Sequence, residues 1–180
     1  MLEVEVKLKL EEFDSVAEKL VEMGYEKGTT IYEYDNYYNS DFNDLKAADK
    51  ALRIRKHLNV ENNALKFVLN YKGPKCDDYT MTREETQFEV PSLELGESVI
   101  NGLGYKVVGH VEKTRIHYVK DGVKVCLDDV TDLGKFMEIE VMAGDDSGYD
   151  DAIRVINGIL HGLGYTMEQT IRESYLSMIW

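Results

Sequence analysis

Apolar and polar residues alternate along most of the chain, and a few helical stretches interrupt that alternation. A period of two puts successive side chains on opposite faces of a strand, whereas recurrence at three and four residues builds one helical stripe. Residues 2–10 read as a strand. A helix over 12–23 follows, with Phe13, Val16, Leu20 and Met23 on one stripe and Gly24 as its terminator. Strand patterns recur at 30–39, 51–59, 63–72 and 81–90. Ser92, a good N-cap, opens a helix over 92–103 that stops at Gly104. Strands are expected again at 106–120, 122–129 and 135–142, with turns at Asp121-Gly122 and Asp132-Leu133-Gly134. Helices are expected over 149–163, whose apolar side suits a core or a dimer contact, and over 168–179. Met23-Gly24-Tyr25, Leu103-Gly104-Tyr105 and Leu163-Gly164-Tyr165 each close a helix; two related halves or a common helix exit account for them equally well.

The strand faces carry the unusual signal. Glu3, Glu5 and Lys7 share one face, opposed by Leu2, Val4, Val6 and Leu8. Arg53 and Arg55 share another, as do Lys113 and Arg115, and Glu138 and Glu140. Charge on one face of an antiparallel strand ordinarily means a solvated outer surface. Surface strands, however, usually mix signs, because adjacent like charges repel. Here carboxylates gather on the first and last strands and basic groups on the middle ones. Such sorting suits ligands: carboxylates for a hard cation, basic groups for a polyanion. A barrel would turn these faces inward and its apolar faces out onto the helices at 12–23, 92–103 and 149–163.

Composition sharpens this reading. The chain of 180 residues fits one domain, 1–180, with no linker or low-complexity tract to divide it. A net charge of −13 argues against a nucleic-acid surface and against anionic membranes, so the placement of the 21 basic residues is what matters. Cys76 and Cys126 form no Cys-x-x-Cys pair and read as buried, reduced thiols of a cytoplasmic protein. The N-terminus lacks the apolar core of a signal peptide, and no run is long enough to span a bilayer. If Lys7, Arg53, Arg55, Lys72, Arg83, Lys113 and Arg115 line one cavity with Glu3, Glu5, Glu85, Asp128, Glu138 and Glu140, the charges nearly balance. A triphosphate with one or two divalent cations then fits without a large buried imbalance.

The ordered series of these motifs resembles the CYTH superfamily, and within it the class IV adenylyl cyclases. The series begins with Glu3-Val4-Glu5-Val6-Lys7, Asp35-Asn36-Tyr37-Tyr38 and Ala51-Leu52-Arg53-Ile54-Arg55. It continues through Tyr71-Lys72-Gly73-Pro74, Arg83-Glu84-Glu85, Lys113-Thr114-Arg115 and Leu127-Asp128-Asp129-Val130, with Leu133-Gly134 after it. Glu138-Ile139-Glu140 and Ser174-Tyr175-Leu176 complete it. The resemblance implies an α+β fold: a closed eight-stranded antiparallel β-barrel, a tunnel braced by outer helices. It implies Mg²⁺ or Mn²⁺ on Glu3, Glu5, Asp128, Glu138 and Glu140, and a triphosphate gripped by Lys7, Arg53, Arg55, Lys72, Arg83, Lys113 and Arg115. Asp128 is preferred to Asp129 by the family spacing, and Lys66 matches less well and is left out. A homodimer is the family expectation.

Three activities follow from the resemblance. The first converts ATP to 3′,5′-cyclic AMP and pyrophosphate, with Lys7 and Arg115 as the catalytic side chains. The second hydrolyses thiamine triphosphate or inorganic tripolyphosphate. The third binds nucleotide or polyphosphate without turnover. Lys7 is either a general base or a fixed cation pairing with Glu5 or phosphate. His57, His110, His117 and His161 lack metal-ligand spacing and receive no role, and the tyrosines are assigned mostly to strand packing.

Overall fold

A computed structural model describes residues 2–78, 80–143 and 146–179. Its strands are β1 (Leu2–Leu10), β2 (Glu26–Asn39), β3 (Ala51–Asn59), β4 (Leu65–Lys75), β5 (Arg83–Val90), β6 (Lys106–Lys120), β7 (Val123–Val130) and β8 (Gly134–Ala143). All pair antiparallel and close in the order β1-β5-β4-β3-β2-β6-β7-β8. The helices are α1 (Asp14–Glu22), α2 (Leu93–Gly102), α3 (Asp146–Leu163) and a short α4 (Tyr175–Ile179). The order β-α-β-β-β therefore occurs twice, from β1 to β4 and from β5 to β8. After α1 and α2 the chain turns at Gly24 and Gly104, whose φ of +85° and +88° suits a residue without a Cβ.

The apolar strand faces point outward. Val4, Val6 and Leu8 of β1 join Val125, Leu127, Met137 and Ile139 under Val16 and Leu20 of α1 and Ile156 and Leu160 of α3. The side chain of Leu2, expected on this face, lies outside the described residues. A smaller cluster packs Ile100 of α2 on Tyr38 and Ile54. Helices thus cover the greasy side of the barrel and leave the charged side to line its interior. The solvated-face alternative fails for this reason.

Closure is uneven. β1 pairs with β8 along its whole length but with β5 at only Leu2 and Glu3. Backbone from elsewhere fills the gap: Met81 N–H donates to the Glu5 carbonyl and Ile171 N–H to the Lys7 carbonyl, both at 2.8 Å. This seam explains why no continuous helix forms over 168–179. Residues Met167–Gln169 make one 3₁₀ turn, Ile171 bridges to Lys7, and only Tyr175–Ile179 is α-helical. Two further expectations need correction. β2 starts at Glu26 rather than near residue 30, and Cys76 is exposed, although Cys126 is buried as expected.

The core on this side predicts a sharp contrast between neighbours. Leu20 is fully buried and Val21 is 58% exposed. Leu20→Ala should cost about 3 kcal/mol in a denaturant titration, and Val21→Ala about 0.5 kcal/mol or less.

Candidate functional site: a charged tunnel

The inward faces enclose a cavity of about 540 Å³. Glu3, Glu5, Lys7, Arg53, Arg55, Lys72, Arg83, Glu85, Lys113, Arg115, Glu138 and Glu140 all line it. Asp128 completes the set from the wall, fully buried and bonded to Arg115. Strand alternation alone achieves this, since each named pair sits at i and i+2 on a strand whose other face packs on helices or on neighbouring outer side chains.

Arg115 is the hub of one half. Its Nε donates to Asp128 Oδ1 at 2.6 Å, its Nη1 to Glu140 Oε1 at 3.2 Å, and its Nη2 to Asp128 and Glu138. Lys113 Nζ lies 3.3 Å from Glu33 Oε2 and 3.4 Å from Asp128 Oδ2, and Lys124 Nζ is 2.7 Å from Glu140. Burial by itself would raise Glu138 and Glu140. Arg115 outweighs it, with Lys7 at Glu138 and Lys124 at Glu140, and holds Glu138 well below the usual carboxylate range and Glu140 below it. The other half is built on Arg55, which grips Asp35 through Nε and Nη2 at 2.6 and 2.7 Å and Glu33 at 2.9 Å. Arg53 reaches Asp35 and Tyr37, each at 3.3 Å, and Lys72 pairs with Glu85 at 2.9 Å. Arg83 donates to the carbonyls of Gly73 and Asp49.

Glu3 and Glu5 stand apart. Among the described residues Glu3 has no cation within ion-pair distance, and Glu5 has only Lys72 at 3.9 Å. Glu5 faces Glu140 directly across the β1–β8 pair, an arrangement that repels unless a cation lies between them. Burial, then the Glu138 charge, pushes Glu5 up to about 7; burial and Glu140 raise Glu3 as well. The donors are all hard oxygens, which fits Mg²⁺ or Mn²⁺. No three Asp, Glu, His or Cys side chains among the described residues close into a preformed cage, because Arg115 occupies the space between Asp128, Glu138 and Glu140. That also fits Mg²⁺, which commonly takes one or two carboxylates and completes its shell with water and substrate phosphate.

Lys7 is held on all sides. Its ammonium donates to the Glu173 carbonyl at 3.0 Å, lies 3.4 Å from Glu138 and sits 3.9 Å above the Tyr175 ring. Every one of these contacts suits a cation. Tyr175 also donates to Asp128 Oδ2 at 2.9 Å, and burial followed by the Glu138 and Asp128 charges keeps its phenol protonated.

Several site residues escaped the pattern. Glu33 and Asp35 lie on the inward face of β2 but alternate with Tyr32, Tyr34 and Asn36, so they read as ordinary strand polarity. Tyr175 was assigned to a helix. Lys66, His57 and His117, given no role, line the tunnel. Burial, aided by Arg115 and Lys124, lowers His117 to about 4, so it is neutral at pH 7. Glu33 and Asp35 add two buried carboxylates to the tunnel wall, while Lys66 and Lys124 add basic groups to its lining.

The raised Glu5 makes a prediction with a definite sign. A carboxylate raised from 4.5 to about 7 costs the metal-free fold nothing below pH 4.5, and the cost is fully present above pH 7. Glu5→Gln should match wild type in thermal melts near pH 4.5 and exceed it above pH 7, by on the order of 3 kcal/mol. A difference that is flat with pH would contradict the assignment.

The chain is similar in sequence and fold to known proteins. The chain is 33% identical to a Methanocaldococcus jannaschii protein provisionally named an adenylate cyclase, over 99% of this chain and 98% of that one. It is 35% identical to the solved PH1819 protein of Pyrococcus horikoshii, with a TM-score of 0.88 over 98% of this chain and 97% of the other. A Hippeastrum protein described as having a dominant triphosphatase activity shares the fold at 19% identity, with a TM-score of 0.61 over 91% and 87% of the two chains. The model of the CYTH domain matches residues 1–175, and the chain belongs to that family.

Proposed function

We propose that the tunnel is the active site of a divalent-metal-dependent enzyme acting on a triphosphate, and that its reaction converts ATP to 3′,5′-cyclic AMP and pyrophosphate. The observation that carries the reading is the buried charged lining: Arg53, Arg55, Lys72, Lys113 and Arg115 face the same cavity as Glu3 and Glu5, which have little positive charge nearby. The provisional name of the 33% identical relative supports the choice of ATP.

Each basic group already holds a carboxylate in the geometry a phosphate oxygen would take. Arriving phosphates replace Asp128, Glu138 and Glu140 as acceptors on Arg115, and Asp35 on Arg53 and Arg55. The carboxylates so released, with Glu3 and Glu5, would hold Mg²⁺ or Mn²⁺. A bound ion supplies a Lewis acid that neutralises the leaving pyrophosphate and acidifies the attacking hydroxyl. Cyclisation then forms the O3′–Pα bond and breaks the bond between Pα and the bridging oxygen, in line, with the hydroxyl proton passing through water to the departing pyrophosphate. Arg115 and Lys113 stabilise the charge that builds on the phosphate oxygens. Lys7, with its contacts to Glu138, the Glu173 carbonyl and the Tyr175 ring, acts as a fixed cation.

A second reading, hydrolysis of thiamine triphosphate or tripolyphosphate, draws on another observation. Charge lines the barrel from Glu3 and Lys124 to Lys7 and Lys113, which suits a bare phosphate chain. Incubation with ATP, thiamine triphosphate or tripolyphosphate under Mg²⁺ or Mn²⁺ separates the readings. Cyclic AMP with pyrophosphate is expected; orthophosphate selects hydrolysis, and tight binding without turnover selects a binder.

Two variants test the roles. Lys7→Gln should raise KM with kcat kept within about threefold, because a fixed cation contributes binding rather than proton transfer. Loss of kcat with an unchanged KM would restore the general-base role. Arg115→Lys should lower kcat by about 100-fold or more, since one ammonium cannot replace the forked donors.

A further inference from the structure

Two buried polar atoms of the tunnel wall have no protein partner and belong to facing residues: Asn70 Oδ1 and Arg53 Nε. Arg53 and Asn70 are directly opposed in the β3–β4 register, and both line the cavity. Asn70 is 2% exposed, so bulk water does not satisfy its amide. Its orientation is fixed by chemistry. The amide nitrogen donates to Glu85, whose carboxylate can only accept, so the carbonyl oxygen is the end left unpaired.

Ionised phosphate oxygens also accept and offer Asn70 nothing, while the neighbouring bases serve them well. A donor on the part of the substrate that is not phosphate would pair Asn70 Oδ1. Beside it, Arg53 Nε needs an acceptor, and one hydroxyl supplies both.

We infer that Asn70 and Arg53 form a subsite for a donor group on the nucleoside of a nucleoside triphosphate, and that this subsite separates such substrates from inorganic tripolyphosphate. The inference rests on the tunnel being a triphosphate site and names the class of triphosphate. Both atoms are covered in the structure, and Arg53 is the arginine placed to uncover them. Its contacts to Asp35 and Tyr37 are 3.3 Å, whereas Arg55 is held at 2.6 to 2.9 Å. A phosphate drawing the looser guanidinium onto itself opens Asn70 to the adjoining sugar or base.

Calorimetric titration with α,β-methylene-ATP and with inorganic tripolyphosphate, both with Mg²⁺, tests this in wild type and in Asn70→Leu, which keeps the volume and deletes the amide. Asn70→Ala serves if the leucine variant does not fold, and tripolyphosphate binding reports an intact tunnel in either. The nucleotide analogue should bind about tenfold or more weakly, with tripolyphosphate changed by about twofold or less. Repeating the pair with 2′-deoxy, 3′-deoxy and 6-amino-deleted analogues identifies the donor: the analogue lacking it should bind wild type and variant alike. Equal weakening of nucleotide and tripolyphosphate would assign Asn70 to phosphate, metal or fold and overturn the inference. Unchanged nucleotide binding, no coupling with any analogue, or a wild type that does not bind the nucleotide would overturn it too. Orthophosphate as the product, with selective weakening intact, removes cyclisation and leaves the subsite standing.

Discussion

The buried contact between Arg115 and the carboxylates of Asp128, Glu138 and Glu140 is the constraint on which the rest of the molecule turns. Each of these charges is costly to remove from water alone, and together they are tolerable because guanidinium and carboxylate satisfy one another. Arg115, Asp128, Glu138 and Glu140 come from three consecutive strands, so the network forms only when β6, β7 and β8 pair in register. A slip of one residue on any of them would send its charges to the greasy outer face. The polar interior therefore helps specify the register that the apolar exterior stabilises.

The same network explains how a tunnel rich in carboxylates can be built for an anion. In the protein the acids occupy the basic groups and hold them at phosphate-like distances. Glu3 and Glu5, on the first strand, are left with too little positive charge nearby. Under the proposed function, triphosphate and divalent cation would exchange with the internal pairs, the anion taking the guanidinium groups and the cation taking the acids. Binding of one would then favour binding of the other, and by linkage the effect would be reciprocal. A site of this kind needs enclosure, because the same pairs on a surface would be screened and weak.

Much of this was legible from alternation alone. Paired like charges at i and i+2, opposed by Val4 and Val6 or by Met137 and Ile139, marked the inward face. The helices at 12–23 and 92–103 were readable for the same reason, since one stripe of each had to cover an apolar strand face. What escaped was long-range. Nothing local distinguishes Glu33 and Asp35 from solvent-facing strand residues; their role follows from pairing with β3 and β6, which only the closed barrel supplies. Ile171 sits in a sequence with helical character, yet the unpaired edge of β1 draws it into a bridge, and the helix begins only at Tyr175, whose hydroxyl reaches Asp128. Tertiary demand overrode local preference there.

The most direct measurement is a crystal structure of the protein soaked with Mn²⁺ and tripolyphosphate, with manganese located by its anomalous signal. Manganese is expected beside Glu5 and Glu140, with phosphate oxygens on Arg53, Arg55 and Arg115 in place of the internal carboxylates. Phosphate bound on the outer surface, with the pairs of Arg115 to Asp128 and Arg55 to Asp35 undisturbed, would contradict it.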